Sequence, residues 1–172
     1  DGTTAQLGGA GTITLNASSN FIVAATSATT LISNKNINGG TVVVDGSLFT
    51  GNATTFALTG SSNFTLSPAG NLYIGSLDGI TASGLTGNIR SAGTRTFNAT
   101  GNYIYYGTVN QSTGNGLPVT VTGFVTISNT GAVGSNTVTL TTNNTTVQTF
   151  NLASGLFAAG AGQQLNIANG GT

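Results

Sequence analysis

Ten side chains of this 172-residue chain can gain or lose a proton: Asp1, Lys35, Asp45, Asp78, Arg90, Arg95 and the four tyrosines at 73, 103, 105 and 106. His, Cys and Glu do not occur. General acid–base catalysis needs such groups held within hydrogen-bond reach of a substrate. Asp45, Asp78, Arg90 and Arg95 are too few and too scattered along the sequence to nominate a set, so no catalytic residue and no enzyme is expected. Zinc, haem and iron–sulfur centres require His or Cys ligands, and a calcium site gathers several oxygens with carboxylates among them. No metal and no cofactor is therefore expected. Three basic residues in a chain of zero net charge cannot neutralise a run of phosphates, which argues against nucleic acid and anionic lipid as partners. Apolar runs such as Phe21 to Ala25 fall far short of the ~20 residues of a membrane helix, so no membrane insertion is expected.

The remaining candidates act by contact. Tyr103, Tyr105 and Tyr106 surround Ile104; in an extended strand Tyr103 and Tyr105 share one face, while Ile104 and Tyr106 share the other. Exposed, they would grip a glycan or a protein partner. The favoured reading has one face filling the core and the other packed on a neighbouring chain, and it makes core candidates of Phe49, Phe124, Phe150 and Phe157. Thr-x-Thr pairs at Thr12/Thr14, Thr94/Thr96, Thr120/Thr122 and Thr137/Thr139 would form a flat array of hydroxyls and methyls, the kind of surface that binds ice, if their strands lay side by side. Ordinary strand preference of Thr explains them equally well. Glycosylation sequons at Asn16, Asn52, Asn63, Asn98, Asn110, Asn143 and Asn144 are about as frequent as chance gives in a chain with 20 Asn and 47 Ser or Thr. An isopeptide cross-link from Lys35 lacks a glutamate to catalyse it, and a calcium-binding nonapeptide coil lacks its Gly-Gly-x-Gly-x-Asp.

Whatever these residues do, strands must position them. Thr, Gly, Asn and Ser make up 94 of the 172 residues, types that favour turns or half-buried strands. Charged residues are 3% and apolar residues 38%, which is neither the high charge nor the low hydrophobicity of a disordered chain. Segments such as Thr12–Leu15, Val119–Thr122, Phe124–Ser128 and Thr137–Leu140 alternate with period two. Asn-Gly and Asp-Gly pairs between them supply the positive φ of tight turns. No stretch has helical periodicity, so the whole chain reads as β and loop.

Four segments resemble one another: 12–21, 55–64, 94–103 and 137–146. Their shared pattern is Thr, any residue, a small one, Leu or Phe, a polar residue and three small ones, followed in the first three by Asn and an aromatic. The starts lie 43, 39 and 43 residues apart, which marks a stacked repeat architecture. The expected fold is all-β, a parallel β-solenoid of coils of about 20 residues with a repeat unit of about 40, giving about eight coils. Residues 1–172 then form one repetitive domain with units near 12–54, 55–93, 94–136 and 137–172. Leu15, Leu58, Phe97 and Leu140 would stack as an interior column, and Asn20, Asn63 and Asn102 as an amide ladder at a turn. The alternative is a set of antiparallel β-sandwich modules, for which 40 residues is short. The chain lacks an initiator Met, and both ends are turn-like, Asp1-Gly2 and Asn169-Gly170-Gly171-Thr172. A segment of a longer repeat array is therefore expected, with uncapped ends able to recruit another copy.

The stretch Thr96 to Gly107, with Gln111 to Pro118 and the strand Phe124 to Gly131, is similar to the Gly/Thr/Asn-rich repeats of very large surface proteins that Bacteroidota secrete by the type IX route. The likeness is specific over residues 94–142, and the sorting domain of such proteins is not visible here. It implies an extracellular or cell-surface, non-enzymatic adhesin or filament protein, similar in style to filamentous-haemagglutinin-type solenoids. The partners expected are identical chains in a filament and a surface protein or glycan at the point of attachment. An ice-binding or carbohydrate-binding solenoid is the alternative function.

Overall fold

Period-two alternation interrupted by Gly and Asn yields short strands, and the computed structural model of the chain, which describes residues 4–51, 56–142 and 145–172, contains eighteen of them and no helix. They are β1 (Thr4–Leu7), β2 (Thr12–Thr14), β3 (Asn20–Val23), β4 (Ala28–Leu31), β5 (Lys35–Asn38), β6 (Thr41–Val44), β7 (Ser47–Phe49), β8 (Leu58–Thr59), β9 (Asn63–Leu66), β10 (Asn71–Ile74), β11 (Arg95–Phe97), β12 (Asn102–Tyr105), β13 (Gln111–Ser112), β14 (Thr120–Ser128), β15 (Thr137–Leu140), β16 (Thr145–Ser154), β17 (Leu156–Ala159) and β18 (Leu165–Ile167). Asp1, Thr55, the 54/55 unit boundary and the sequons at Asn52, Asn143 and Asn144 lie outside the described residues.

Every strand pairing is parallel and joins strands of successive turns, so the chain is a β-solenoid of about seven turns and not a sandwich. One sheet runs the whole length in the order β1-β4-β7-β10-β12-β14-β16-β18. Two others accompany only the first part, β2-β5-β8 and β3-β6-β9-β11, and a third, β13-β15-β17, only the last. Coil length is not constant. Ala28 pairs with Ser47, 19 positions on, whereas Asn71 pairs with Asn102, 31 positions on.

The long coil is where the β2-β5-β8 sheet stops, while the β3-β6-β9-β11 sheet crosses it and ends on its far side. Its segment 88–92 bonds backward: Asn88 O accepts from Leu58 N at 2.8 Å, Arg90 N donates to Leu58 O at 2.7 Å and Ala92 N to Gly60 O at 2.7 Å. Its segment 77–82 bonds forward: Ser112 N donates to Leu77 O at 2.7 Å, Ile80 N to Thr113 O at 3.1 Å and Gly116 N to Ile80 O at 2.9 Å. The coil is thus a fork with one arm on each neighbour. Gly79 lies in the forward arm with φ +66, and a Cβ there would strike the backbone carbonyls of Ser112 and Thr113, so only glycine fits.

Side chains alternate into and out of the tube. Along the long sheet, Leu31, Ile74, Tyr105 and Ile127 are all at most 1% exposed, and Leu48, Leu72, Tyr103 and Val125 at most 2%. Val23, Val44, Leu66 and Phe97 form a further column in register. Leu15, Leu58, Phe97 and Leu140 all pack in the interior but do not stack on one another, since Leu58 is on β8, Phe97 on β11 and Leu140 on β15. Phe150 and Phe157, 4.9 Å apart, close the core at the last turn. Phe49 and Phe124 correct the expectation for them: alternation from inward Leu48 and Val125 turns both outward.

Corners bury polar backbone, which must be bonded. The Gln111 amide donates to Ile74 O (3.0 Å) and Ser76 O (2.9 Å), and its Oε1 accepts from Gly107 N (2.9 Å) and Asn129 Nδ2 (3.0 Å). Lys35, 7% exposed, donates from Nζ to Gly11 O at 2.7 Å.

Candidate functional site

Tyr103 and Tyr105 are inside the tube. Tyr103 donates its hydroxyl to Asn98 O at 2.7 Å and Tyr105 to Thr113 O at 2.9 Å. Burial pushes both phenols above the ordinary tyrosine range, and Tyr105 is raised further by the neighbouring Tyr103. Interior packing, one half of the favoured reading, is where the structure places them. The outward half, expected against a neighbouring chain, has its recorded contacts within this chain. Tyr106 packs edge-on against Phe49 and Tyr73, with centroids 6.1 and 5.8 Å away, while Phe49 and Tyr73 stack at 3.8 Å. Ile104, only 5% exposed, is covered within this chain. Burial raises the Tyr106 phenol to about 12, against a small opposing contribution from the Gly51 backbone. Phe49 and Tyr73 thus each cover one face of the other's ring.

Of the expected asparagine ladder, Asn102 finds an amide partner, and that partner is Asn71, not Asn20 or Asn63. Asn20 and Asn63 occupy one column of the four-stranded sheet, but Thr41 lies between them. Asn102 belongs to the long sheet, above Asn71, because the 31-residue coil shifts the repeat by one face. There Asn102 Nδ2 donates to Asn71 Oδ1 at 2.9 Å, Asn71 Nδ2 to Ser47 Oγ at 3.3 Å, and Phe124 N to Asn102 Oδ1 at 3.1 Å. The same habit recurs at other corners: Asn34, Asn38, Asn63 and Asn110 each accept a backbone N–H from the following turn, at 2.7–3.0 Å.

The threonine pairs do not meet. Thr12 and Thr14 are on β2, Thr94 and Thr96 at β11, and Thr137 and Thr139 on β15, which are strands of three different sheets. In register with Thr12 and Thr14 stand Asn36 and Asn38, so no flat hydroxyl array extends from them. The corrected placement follows from the uneven coil lengths, which rotate the repeated pattern from face to face.

Two residues left unassigned by the sequence come together in the fork. Arg90 and Arg95 line a cavity of about 240 Å³ with Gly84, Leu85, Ser91 and Ala92 in its wall, and among the described residues no carboxylate lines it. Arg95 ties the arms together: Nε donates to Ser91 O at 2.9 Å, Nη1 to Thr81 O and Oγ1 at 3.0 Å each, and Nη2 to Gly84 O. Its partial burial lowers the guanidinium pKa. Arg90 donates Nε to Gly87 O at 2.7 Å. The sequence signal was faint but present, two of three cations five positions apart in the stretch with the weakest alternation. Compared with family models, curated proteins and solved structures, the chain matches none.

Proposed function

We propose that the chain is a structural, non-enzymatic segment of an extracellular fibre or adhesin, in which coils continue end to end into a filament that attaches cells to one another or to surfaces. One observation carries this reading: the long sheet passes through every turn and, among the described residues, finishes at both ends in strands with a single partner, β1 on β4 and β18 on β16. Such edges are templates for another strand, whether of the same polypeptide or of an identical chain. Around the last turn Leu152, Leu156 and Ile167 are 47–56% exposed, apolar area that a further coil would cover. The composition suits an extracellular location, with no Cys or Met to oxidise and three sites for trypsin-like cleavage.

Electron microscopy of the purified chain tests the proposal. Filaments are expected with an axial repeat of about 34 Å, from about seven turns at ~4.8 Å each, and Leu156→Lys with Ile167→Lys should disperse them. Single particles that stay apart at high concentration would refute it. Neither alternative function gains a supporting observation from the threonine pairs, which are dispersed, or from Tyr103 and Tyr105, which are interior.

A further inference from the structure

The fork places two guanidinium groups at one cavity without a carboxylate, in a protein that has only one other basic side chain. A guanidinium carries five N–H donors. Four of those on Arg95 are bonded to Ser91, Thr81 and Gly84, leaving one on Nη2. Arg90 uses only Nε, so both its terminal nitrogens have no partner among the described residues. Backbone N–H groups of Arg90 and Ala92 are already donated to Leu58 O and Gly60 O, so at these two positions the guanidinium is the donor left to a ligand. The free planar fork of Arg90 fits the two oxygens of a carboxylate.

Size narrows the ligand further. The cavity, about 240 Å³, lies below the ~300–1,000 Å³ of sites for drug-sized molecules. Leu85, 82% exposed, and Ala92 give it an apolar wall suited to the C–H face of a pyranose, and the Ser83 side chain adds a hydroxyl. Zero net charge provides no long-range attraction for a polyanion, so recognition must be local, one carboxylate at a time. We propose that the cavity binds a uronic acid sugar, its carboxylate held end-on by Arg90 with the remaining N–H of Arg95 as a third donor. Insertions in solenoids commonly carry the binding face, and the fork is the longest coil of this one. The inference is independent of end-to-end assembly.

Arginine side-chain and backbone NMR signals of the unassembled chain, titrated separately with glucuronate, glucose, acetate and sulfate at matched ionic strength, test it. Glucuronate should shift Arg90 Nε–H and the amides of 83–93 saturably, acetate should do so more weakly, and glucose should leave them unmoved. R90Q should weaken glucuronate binding about tenfold or more, the loss expected for a charged hydrogen-bonded pair, with R90K between because it keeps the charge and loses the fork. Melting curves of both variants verify that they fold. Equal responses to acetate and glucuronate, saturation by sulfate at least as tight, unsaturable shifts, or full binding by R90Q would each overturn the proposal. Because dispersed chains are used, failure here leaves the fibre reading intact, and absence of filaments leaves this one intact.

Discussion

Replacing Gln111 by Leu keeps the side chain's approximate volume and removes its four hydrogen bonds, which makes it the sharpest probe of how the turns are joined. Gly107 N–H has no other acceptor among the described residues and becomes a buried orphan, at about 1–3 kcal/mol. Ile74 O and Ser76 O each keep one backbone donor, Tyr106 N at 3.1 Å and Gly79 N at 3.2 Å, so losing the amide costs about 0.5–1 kcal/mol apiece. Asn129 Nδ2 retains Val109 O at 2.7 Å and adds little. The expected loss is about 3 kcal/mol, read as a lower urea midpoint at unchanged m and a melting point lower by roughly 6–12 °C. Amide exchange should lose protection first at Gly107. Gln111→Glu supplies the sign test. A carboxylate there would face two carbonyl oxygens and burial, both of which raise its pKa above the ordinary ~4.3. The folded state then holds its proton when the unfolded state has released it, so stability falls as pH rises above that value. This variant should therefore be more stable at acid than at neutral pH. A loss below about 1 kcal/mol for Gln111→Leu, or no such pH trend for Gln111→Glu, would refute the reasoning.

Two further outcomes follow from the same accounting. Asn102→Ala removes bonds to Asn71, Ala69 and Phe124 from a residue 8% exposed and should cost about 2 kcal/mol in urea unfolding, whereas Asn20→Ala, at an exposed position, should stay within about 0.5 kcal/mol. Raising the pH should unfold the chain before it titrates its interior: Tyr103, Tyr105 and Tyr106 all have raised pKa values, so the unfolded state releases those protons first and stability declines from pH ~10 upward. Phenolate absorbance should rise together with loss of the β circular dichroism, and ionisation of all three near pH 10 with an intact spectrum would contradict it.

Alternation and self-similarity in the sequence were enough for an all-β parallel solenoid, because both follow from local chemistry that each turn repeats. The placement of particular residues was not, and the reason is physical. The pattern that ends in Asn and an aromatic describes a strand, a corner and a strand, and any corner can use it. Segment 12–21 runs from β2 to β3 and segment 56–64 through β8 into β9, the same corner, which is why Asn20 and Asn63 share a column. Segment 94–103 runs from β11 to β12 and segment 137–146 from β15 into β16, different corners altogether. A 31-residue coil between them has no signature in alternation, since its arms bond as single backbone contacts more than as ladders. Arg90 and Arg95 were visible as neighbours in sequence, but their meeting depends on how the arms fold back.

The fork has a mechanical consequence. Pulled along its axis, a solenoid loads the hydrogen bonds between turns in tension, and where three sheets cross a joint they share the force. At the joint between the turn of β10 and that of β12, the long sheet and the β9–β11 ladder cross together with the Leu58–Ile89 bridge, and the forward arm and the Gln111 amide add further bonds. That joint is a splice: the residues that lengthen the coil add bonds to both of its neighbours, so a fibre of such coils parts elsewhere first and this stretch stays closed.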